Sequence, residues 1–364
     1  MSSYSVEQIK ACLQTVTIPG SQTNCLDGTQ IKEIQLDEGE ACLHLALPVA
    51  CASQHGMLIA QLQQAFTEAG IASLEVTLST EVPAHERNSQ IAAVNGIKNI
   101  VAVASGKGGV GKSTTSVNLA LALVAEGAKV GLLDADIYGP SQQLMLGMGS
   151  ETRPEQKDGK YFLPVEAHGL QTMSMGYLVT DKTPMVWRGP MVSGALQQML
   201  NQTLWQDLDY LIIDLPPGTG DIQLTLSQQV PVNGAVIVTT PQDIALADAV
   251  KATEMFAKVN VSVLGVIENM AYFHCENCGH ESFIFGSKGG EKLAKEYDVS
   301  LLGALPLQLA IREQTDAGNP TVVADPTGKV AETYREIARQ VSLSLWQNAA
   351  TEGLAYPAIE ISED

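Results

Sequence analysis

The chain has 364 residues, with Lys+Arg 21 against Asp+Glu 40 and a net charge of -19. That length accommodates two domains and a substantial core. So acidic a surface repels nucleic-acid phosphates and anionic lipid headgroups, which argues against either as a partner. In chain order, residues 1–82 read as a small α+β module. Residues 6–16 carry a helical pattern, 31–36 and 41–46 read as strands, 57–69 as a helix and 73–78 as a third strand. Residues 83–97, polar and bounded by Pro83 and Gly96, form a linker. From 98 to 350 the pattern is strand–loop–helix repeated, with apolar strands at 99–104, 130–133, 210–213, 235–239, 263–267 and 301–305. This predicts an α/β domain whose mostly parallel sheet is covered by helices on both faces. A helix over 326–348, with Val330, Tyr334, Ile337 and Val341 on one face, closes it, and 351–364 is an acidic tail. No apolar run approaches the roughly 18 residues of a spanning helix. The N-terminus has no basic stretch followed by an apolar one, so no membrane span or secretory leader is expected and the compartment reads as cytoplasmic.

The most specific stretch is Gly106-Lys107-Gly108-Gly109-Val110-Gly111-Lys112-Ser113-Thr114, directly after an apolar strand. It fits the phosphate loop of nucleotide-binding α/β folds. Glycines let backbone N–H groups close on phosphates, Lys112 reaches the β- and γ-phosphates, and Ser113 offers its hydroxyl to Mg²⁺. The helix that opens there points its positive end inward. Lys107 adds a second cation, suited to charge that develops during phosphoryl transfer. Asp214 ends a buried strand, where a carboxylate holds Mg²⁺ directly or through water, and Pro216-Pro217-Gly218 behind it suits a switch loop. Asp134 and Asp136 follow another strand. At i and i+2 on an extended segment both would face the nucleotide, and one of them is equally open to an indirect role.

Lys-Gly-Gly-x-Gly-Lys-Ser resembles the deviant phosphate loop of the MinD/ParA/nitrogenase-iron-protein class of ATPases. Leu133-Asp134-Ala135-Asp136-Ile137-Tyr138-Gly139-Pro140-Ser141, Trp187-Arg188-Gly189-Pro190, Pro216-Pro217-Gly218-Thr219-Gly220-Asp221, Glu268-Asn269-Met270 and Cys275-Glu276-Asn277-Cys278 follow in order. Together they resemble the Mrp/ApbC group of iron–sulfur cluster carrier ATPases, densely over residues 99–320. The resemblance implies a homodimer in which Lys107 reaches the partner's nucleotide, Asp136 orients the attacking water and Asp134 supports the metal shell. It also implies that Asn269 contacts adenine, and Pro306 and Leu307, just past the strand at 301–305, are placed to wall the ring. ATP is expected over GTP, since no guanine-reading Asn-Lys-x-Asp pattern follows Asn269.

Cys275 and Cys278 are the second chemical centre, among six cysteines that a reducing compartment leaves as thiols or metal ligands. Two thiolates at this spacing wrap one metal atom, but zinc or a cluster usually needs four ligands. His274 and His280 flank the pair and would complete an intrachain zinc knuckle, a reading that spacing alone slightly favours. A thioredoxin-like redox pair is weakened because these cysteines do not open a helix. The resemblance favours a [4Fe–4S] cluster shared by two chains on a twofold axis. Cys12, Cys25, Cys42 and Cys51 in the N-terminal module are expected as buried thiols. That module resembles the small domain that precedes the ATPase in bacterial members, although its loop at Ile18-Pro19-Gly20-Ser21 departs from the Asp-Pro pattern there. Partner recognition or a stabilising role is expected of it. The implied function is an ATP-hydrolysing cluster carrier that exchanges its cluster with an assembly scaffold and apo iron–sulfur proteins. The alternatives are a MinD/ParA-like positioning ATPase with structural zinc, which lacks the basic tail it would need, and an electron donor of the nitrogenase type, whose cluster cysteines lie far apart in sequence.

Overall fold

The computed structural model describes residues 5–37, 40–71, 74–85, 91–178, 189–275 and 277–354. Trp187-Arg188, Glu276, residues 86–90 of the linker and the tail beyond Leu354 lie outside the described residues.

The N-terminal module opens with α1 (Val6–Thr15), started by a capping box in which the Ser5 side chain and Gln8 satisfy each other's backbone N–H. After the single turn α2 (Cys25–Gly28) come β1 (Gln30–Asp37), β2 (Glu40–Leu47), α3 (His55–Glu68) and β3 (Leu74–Thr80). β2 lies in the middle, antiparallel to β1 and parallel to β3. Its alternation sends Leu43, Leu45 and Leu47 into a core with Ile9, Leu13, Leu58, Leu62 and Phe66. The same alternation turns Cys42 outward, so it is an exposed thiol near Glu75 and not the buried one expected. Cys12, Cys25 and Cys51 are buried, and burial pushes the Cys25 thiol up to about 11 and Cys51 up to about 12.

The second unit begins with β4 (Ile97–Ala104), α4 (Lys112–Ala125), β5 (Val130–Asp134) and the short α5 (Gln142–Met145). A small ribbon of β6 (Gln156–Lys157) and β7 (Tyr161–Phe162) precedes β8 (Val165–Ala167) and β9 (Leu170–Ser174). Then come α6 (Gly189–Gln202), β10 (Leu208–Asp214), α7 (Asp221–Gln229), β11 (Gly234–Thr239), α8 (Asp243–Lys258) and β12 (Val263–His274). The chain continues through β13 (Glu281–Ser282), α9 (Gly289–Glu296), β14 (Leu301–Leu307), α10 (Leu309–Asp316), α11 (Thr321–Ala324) and α12 (Lys329–Leu354). The large sheet runs β14-β12-β11-β4-β10-β5-β9 with every neighbouring pair parallel. Antiparallel β8 closes one edge, and β13 pairs antiparallel with the end of β12. Successive residues of β4 feed two cores: Val101 and Val103 meet Tyr334, Ile337 and Val341, while Ile100, Ala102 and Ala104 meet Val192, Leu196 and Phe256. Helices therefore cover both faces, as the pattern implied.

Two features go beyond the sequence expectation. The β8–β9 hairpin turns on His168–Gly169, both at positive φ, a two-residue turn flanked by strands too short and polar to show as an apolar run. β12 does not stop at Ile267 but continues to His274, so Asn269 lies within a strand and not after one.

The two units share a polar seam along α12. Ser342 Oγ accepts the Ala50 N–H at 2.8 Å and lies 2.7 Å from the Tyr210 hydroxyl. Glu126, with 0% of its side chain exposed, accepts from Arg339 at 2.8 Å and from the Ser53 N–H at 3.0 Å. Leu343 and Trp346 of the same helix pack on the N-terminal core. The described part of the linker is pinned beneath the sheet, with the Asn99 amide donating to Pro83 O at 2.9 Å and Asn233 to His85 O at 2.8 Å. Arg339→Met strands a buried carboxylate, and breaking such pairs costs about 3 kcal/mol. Its urea unfolding midpoint is expected to fall, and Glu126→Gln added to it to recover part of the loss. An unchanged midpoint in the single variant would remove the seam from the account of stability.

Candidate nucleotide site and cysteine arm

Parallel strands deliver their carboxyl ends to one edge, and the site is built there. β4 ends at Ala104, and the phosphate loop follows as residues 106–114. Gly106 presses against α8 so closely that a Cβ would lie 2.1 Å from the Asp248 backbone. Gly111, at φ +83, is the N-cap of α4 and leaves that terminus without a side-chain cap. A Cβ there would meet the Asn269 amide nitrogen at 2.1 Å. Uncapped N–H groups at a helix start form an anion site, so Gly108, Gly109, Val110, Gly111, Lys112, Ser113 and Thr114 can cradle phosphates. Lys107 is half-buried within this loop, its carbonyl accepting from Ser105 Oγ at 3.0 Å.

Three adjacent strands end in register here: Asp214 of β10 opposite Asp134 of β5, and Asp134 opposite Ser174 of β9. Both carboxylates are 0% exposed. Asp214 Oδ1 accepts from Lys112 Nζ and from Ser116 Oγ at 2.9 Å, and its Oδ2 from the Gln142 amide at 2.9 Å. Asp134 Oδ2 accepts the backbone N–H groups of Ser141 and Gln142 at 3.0 and 3.1 Å and Ser174 Oγ at 3.1 Å. Its Oδ1 accepts the Asp136 N–H at 3.2 Å. Burial first, then the negative charge of Asp214, pushes the Asp134 carboxyl well above the ordinary carboxylate range, against the pull of Lys112 and the backbone donors. Asp136 is half-buried, and burial raises it too while Lys112 lowers it. β5 ends at Asp134, so Asp136 lies past the strand on the loop that follows, where it still feels Lys112 and Asp214. Asp134 anchors the loop, and Asp136 stands on it. Ser116 and Gln142 were not anticipated; the signal for Ser116 was its place one turn after Lys112, and Gln142 lay in an uninformative Ser-Gln-Gln run.

This donor set fits Mg²⁺. Two buried carboxylates face one lysine, the Ser113 hydroxyl lies 3.2 Å from Lys112 Nζ, and hard oxygens suit a hard cation. The switch loop is tied to the phosphate loop by the Gly218 N–H, which donates to Ser105 O at 3.0 Å.

β12 joins this site to the cysteines. Within it the Asn269 amide donates to the Val110 carbonyl at 2.9 Å, so here it braces the phosphate loop. Met270 follows at φ 54, and pairing with β14 breaks register between Glu268 and Tyr272. Beyond this bulge Tyr272 pairs with Pro306, and His274 with Glu281 across the β12–β13 hairpin. Pro306 thus lies inside an edge strand, where a missing N–H is tolerated, and not past its end. With Tyr272, Gln314 and Thr321 it lines a cavity of about 320 Å³, in which Gln314 Oε1 and Thr321 Oγ1 have no hydrogen-bond partner among the described residues.

At the hairpin tip the Cys275 N–H donates to His280 O at 3.0 Å and the Gly279 N–H to Cys275 O at 2.8 Å. Cys275 is half-buried and Cys278 exposed. His274 Nδ1 lies 3.9 Å from Glu281. Among the described residues no group of three or more His, Cys, Asp or Glu side chains is placed to hold a metal. No helix is long and apolar enough to cross a membrane among them.

The raised Asp134 carboxyl makes metal-free stability depend on pH. The folded state holds its proton more tightly than the unfolded chain, so this carboxyl's contribution to stability is full below pH 3.8 and is lost as pH rises through the raised value. Asp134→Asn is expected to flatten that decline, and Mg²⁺ with nucleotide to abolish it in the parent protein. Thermal unfolding across pH checks this; a slope equal in parent and variant would contradict it.

The NUBPL iron-transfer model of the ParA-type P-loop NTPases matches residues 96–342. The iron-sulfur cluster carrier protein of Pseudomonas fragi is 61% identical over 269 residues, covering 74% of this chain and 94% of that protein. The protein of the same name from Haemophilus influenzae is 48% identical over 348 residues, 94% of this chain and 93% of its own, so that match takes in the N-terminal module. Among solved structures, the nucleotide-binding protein of Archaeoglobus fulgidus in complex with ADP superposes with a TM-score of 0.58. It is 37% identical, over 66% of this chain and 93% of that one. The phosphate loop, the carboxylates at the strand ends and these matches agree: the chain belongs to the NUBPL iron-transfer family of ParA-type P-loop NTPases.

Proposed function

We propose that this chain is an ATP-hydrolysing iron–sulfur cluster carrier that binds its cluster between two copies and passes it to apo-proteins. The observation that carries this reading is the cysteine arm. Cys275 and Cys278 stand at the tip of the β12–β13 hairpin and bring two thiolates, half of what a cluster needs, to one place. Four-fold ligation of a [4Fe–4S] cluster then calls for the same pair from a second chain. The names of the relatives, iron-sulfur cluster carrier and transfer proteins, support the same reading. Those names do not favour a positioning ATPase with structural zinc.

In this account Lys112 and the N-terminus of α4 hold the phosphates of ATP. Bound Mg²⁺, held by Ser113 and Asp214 with Asp134 behind them, would neutralise phosphate charge. Asp136, on the loop that Asp134 anchors, orients the attacking water. Lys107 acts on the partner's nucleotide, so turnover belongs to the dimer and is slow. Asn269 contacts the adenine base and Pro306 walls it.

Lys107→Ala is expected to bind ATP with little change yet lose turnover, and Lys112→Ala to lose both. Asp136→Asn is expected to keep binding while hydrolysis falls roughly a hundred- to ten-thousand-fold. Steady-state ATPase and nucleotide titrations check these. Wild-type turnover in the Lys107 variant would end its catalytic assignment, and loss of Mg²⁺-ATP binding in the Asp136 variant would exchange its role with Asp134.

Anaerobic reconstitution is expected to give about four iron atoms per two chains, with the chromophore retained when His274 and His280 are both replaced by Ala. One zinc per chain, lost with the histidines, would contradict the carrier reading. Cys275→Ala or Cys278→Ala should abolish the chromophore and spare basal ATPase activity.

A further inference from the structure

Gln142 is 2% exposed and stands between the two carboxylates without belonging to any motif that marks the site. Its backbone N–H donates to Asp134 Oδ2 at 3.1 Å. Its side-chain nitrogen meets two oxygens that can only accept, Asp214 Oδ2 at 2.9 Å and the Ser113 carbonyl at 3.0 Å. Two acceptors fix which end of the amide is nitrogen, so the other end is Oε1. That oxygen is buried and has no partner among the described residues. An orphaned buried acceptor costs stability unless a donor fills it, and native sites rarely leave one without a purpose. Its neighbours are the strand-end carboxylates and the loop that carries Ser113, all placed to hold a divalent cation.

We propose that Gln142 is a positioning residue for the metal, its Oε1 accepting a hydrogen bond from a water on the bound Mg²⁺ while its Nε2 holds Asp214 in place. Mg²⁺ dehydrates reluctantly and keeps several waters, each a strong donor, so a neutral amide oxygen suits this place. A third carboxylate here would add charge beside Asp134 and Asp214; the amide supplies an acceptor without it. The inference rests on the nucleotide–Mg²⁺ site proposed above.

The test measures metal affinity directly, with Mn²⁺ as an electron-paramagnetic-resonance probe titrated into the full chain with ADP. Gln142→Met keeps the side chain's length and removes both ends of the amide. Gln142→Glu keeps an acceptor oxygen and gives up the donation to Asp214. Expected is a five- to tenfold loss of Mn²⁺ affinity in Gln142→Met, near-parent or tighter binding in Gln142→Glu, and parent-like ADP affinity in EDTA for both. Equal losses in the two variants would overturn the proposal by assigning Gln142 only the support of Asp214. Parent-like Mn²⁺ affinity in Gln142→Met would overturn it too. If the parent protein itself bound no Mn²⁺ with ADP, the failure would belong to the nucleotide-site reading. Thermal unfolding of each variant separates these results from misfolding.

Discussion

Two carboxylates buried side by side, one of them paired with a buried lysine, set the terms for the rest of this molecule. Asp134 and Asp214 are register neighbours on adjacent parallel strands, both fully buried, and Lys112 is paired with only one of them. Removing two like charges from water is costly unless hydrogen bonds and cations compensate. The chain meets that cost with the Ser116 and Ser174 hydroxyls, the Gln142 amide and three backbone N–H groups. Three segments around the phosphate loop are thereby tied to the same pair. The phosphate loop is held through Lys112, the Asp136 loop through Asp134, and α5 through Gln142. A divalent cation bound there would complete the balance, so binding of metal and nucleotide is expected to stiffen all three together.

The strand β12 carries that constraint outward. Asn269 braces the Val110 carbonyl and fits against Gly111, and Cys275 follows directly where the same strand ends at His274. The bulge at Met270 redirects the strand, and β13 and β14 stiffen what lies beyond it. At the other end of α4, Glu126 meets Ser53 and Arg339, so the helix that opens at the phosphates closes on the N-terminal module. Nucleotide site, cysteine arm and accessory module are thus linked by continuous secondary structure and buried polar contacts.

The sheet, its helices and the phosphate loop were legible in the sequence because parallel strands buried on both faces read as apolar runs and the loop has a fixed spacing. The last helix was equally plain, with Tyr334, Ile337 and Val341 fully buried as its spacing required. Less legible was anything decided by tertiary register. β12 outran its apolar segment because polar residues past Ile267 pair with β13 and β14. Cys42 faces solvent because alternation within β2 outweighs the usual preference of a thiol for burial. Gln142 carried no signal, since its role depends on Asp214, which is far from it in sequence and beside it in space. For Cys275 and Cys278 spacing alone leaned slightly to zinc, because the flanking histidines would complete a four-ligand site within one chain, and only the family resemblance pointed to half a cluster.

A cluster held by the cysteine arm would belong to two chains at once. Native mass spectrometry of the anaerobically reconstituted protein tests it most directly, because mass reports chain count and metal count in one species. The expected result is a dimer carrying a single [4Fe–4S] cluster, which reverts to metal-free monomers when the cluster is removed in the absence of nucleotide. A monomer that retains its metal, or a dimer with a separate metal in each chain, would contradict it.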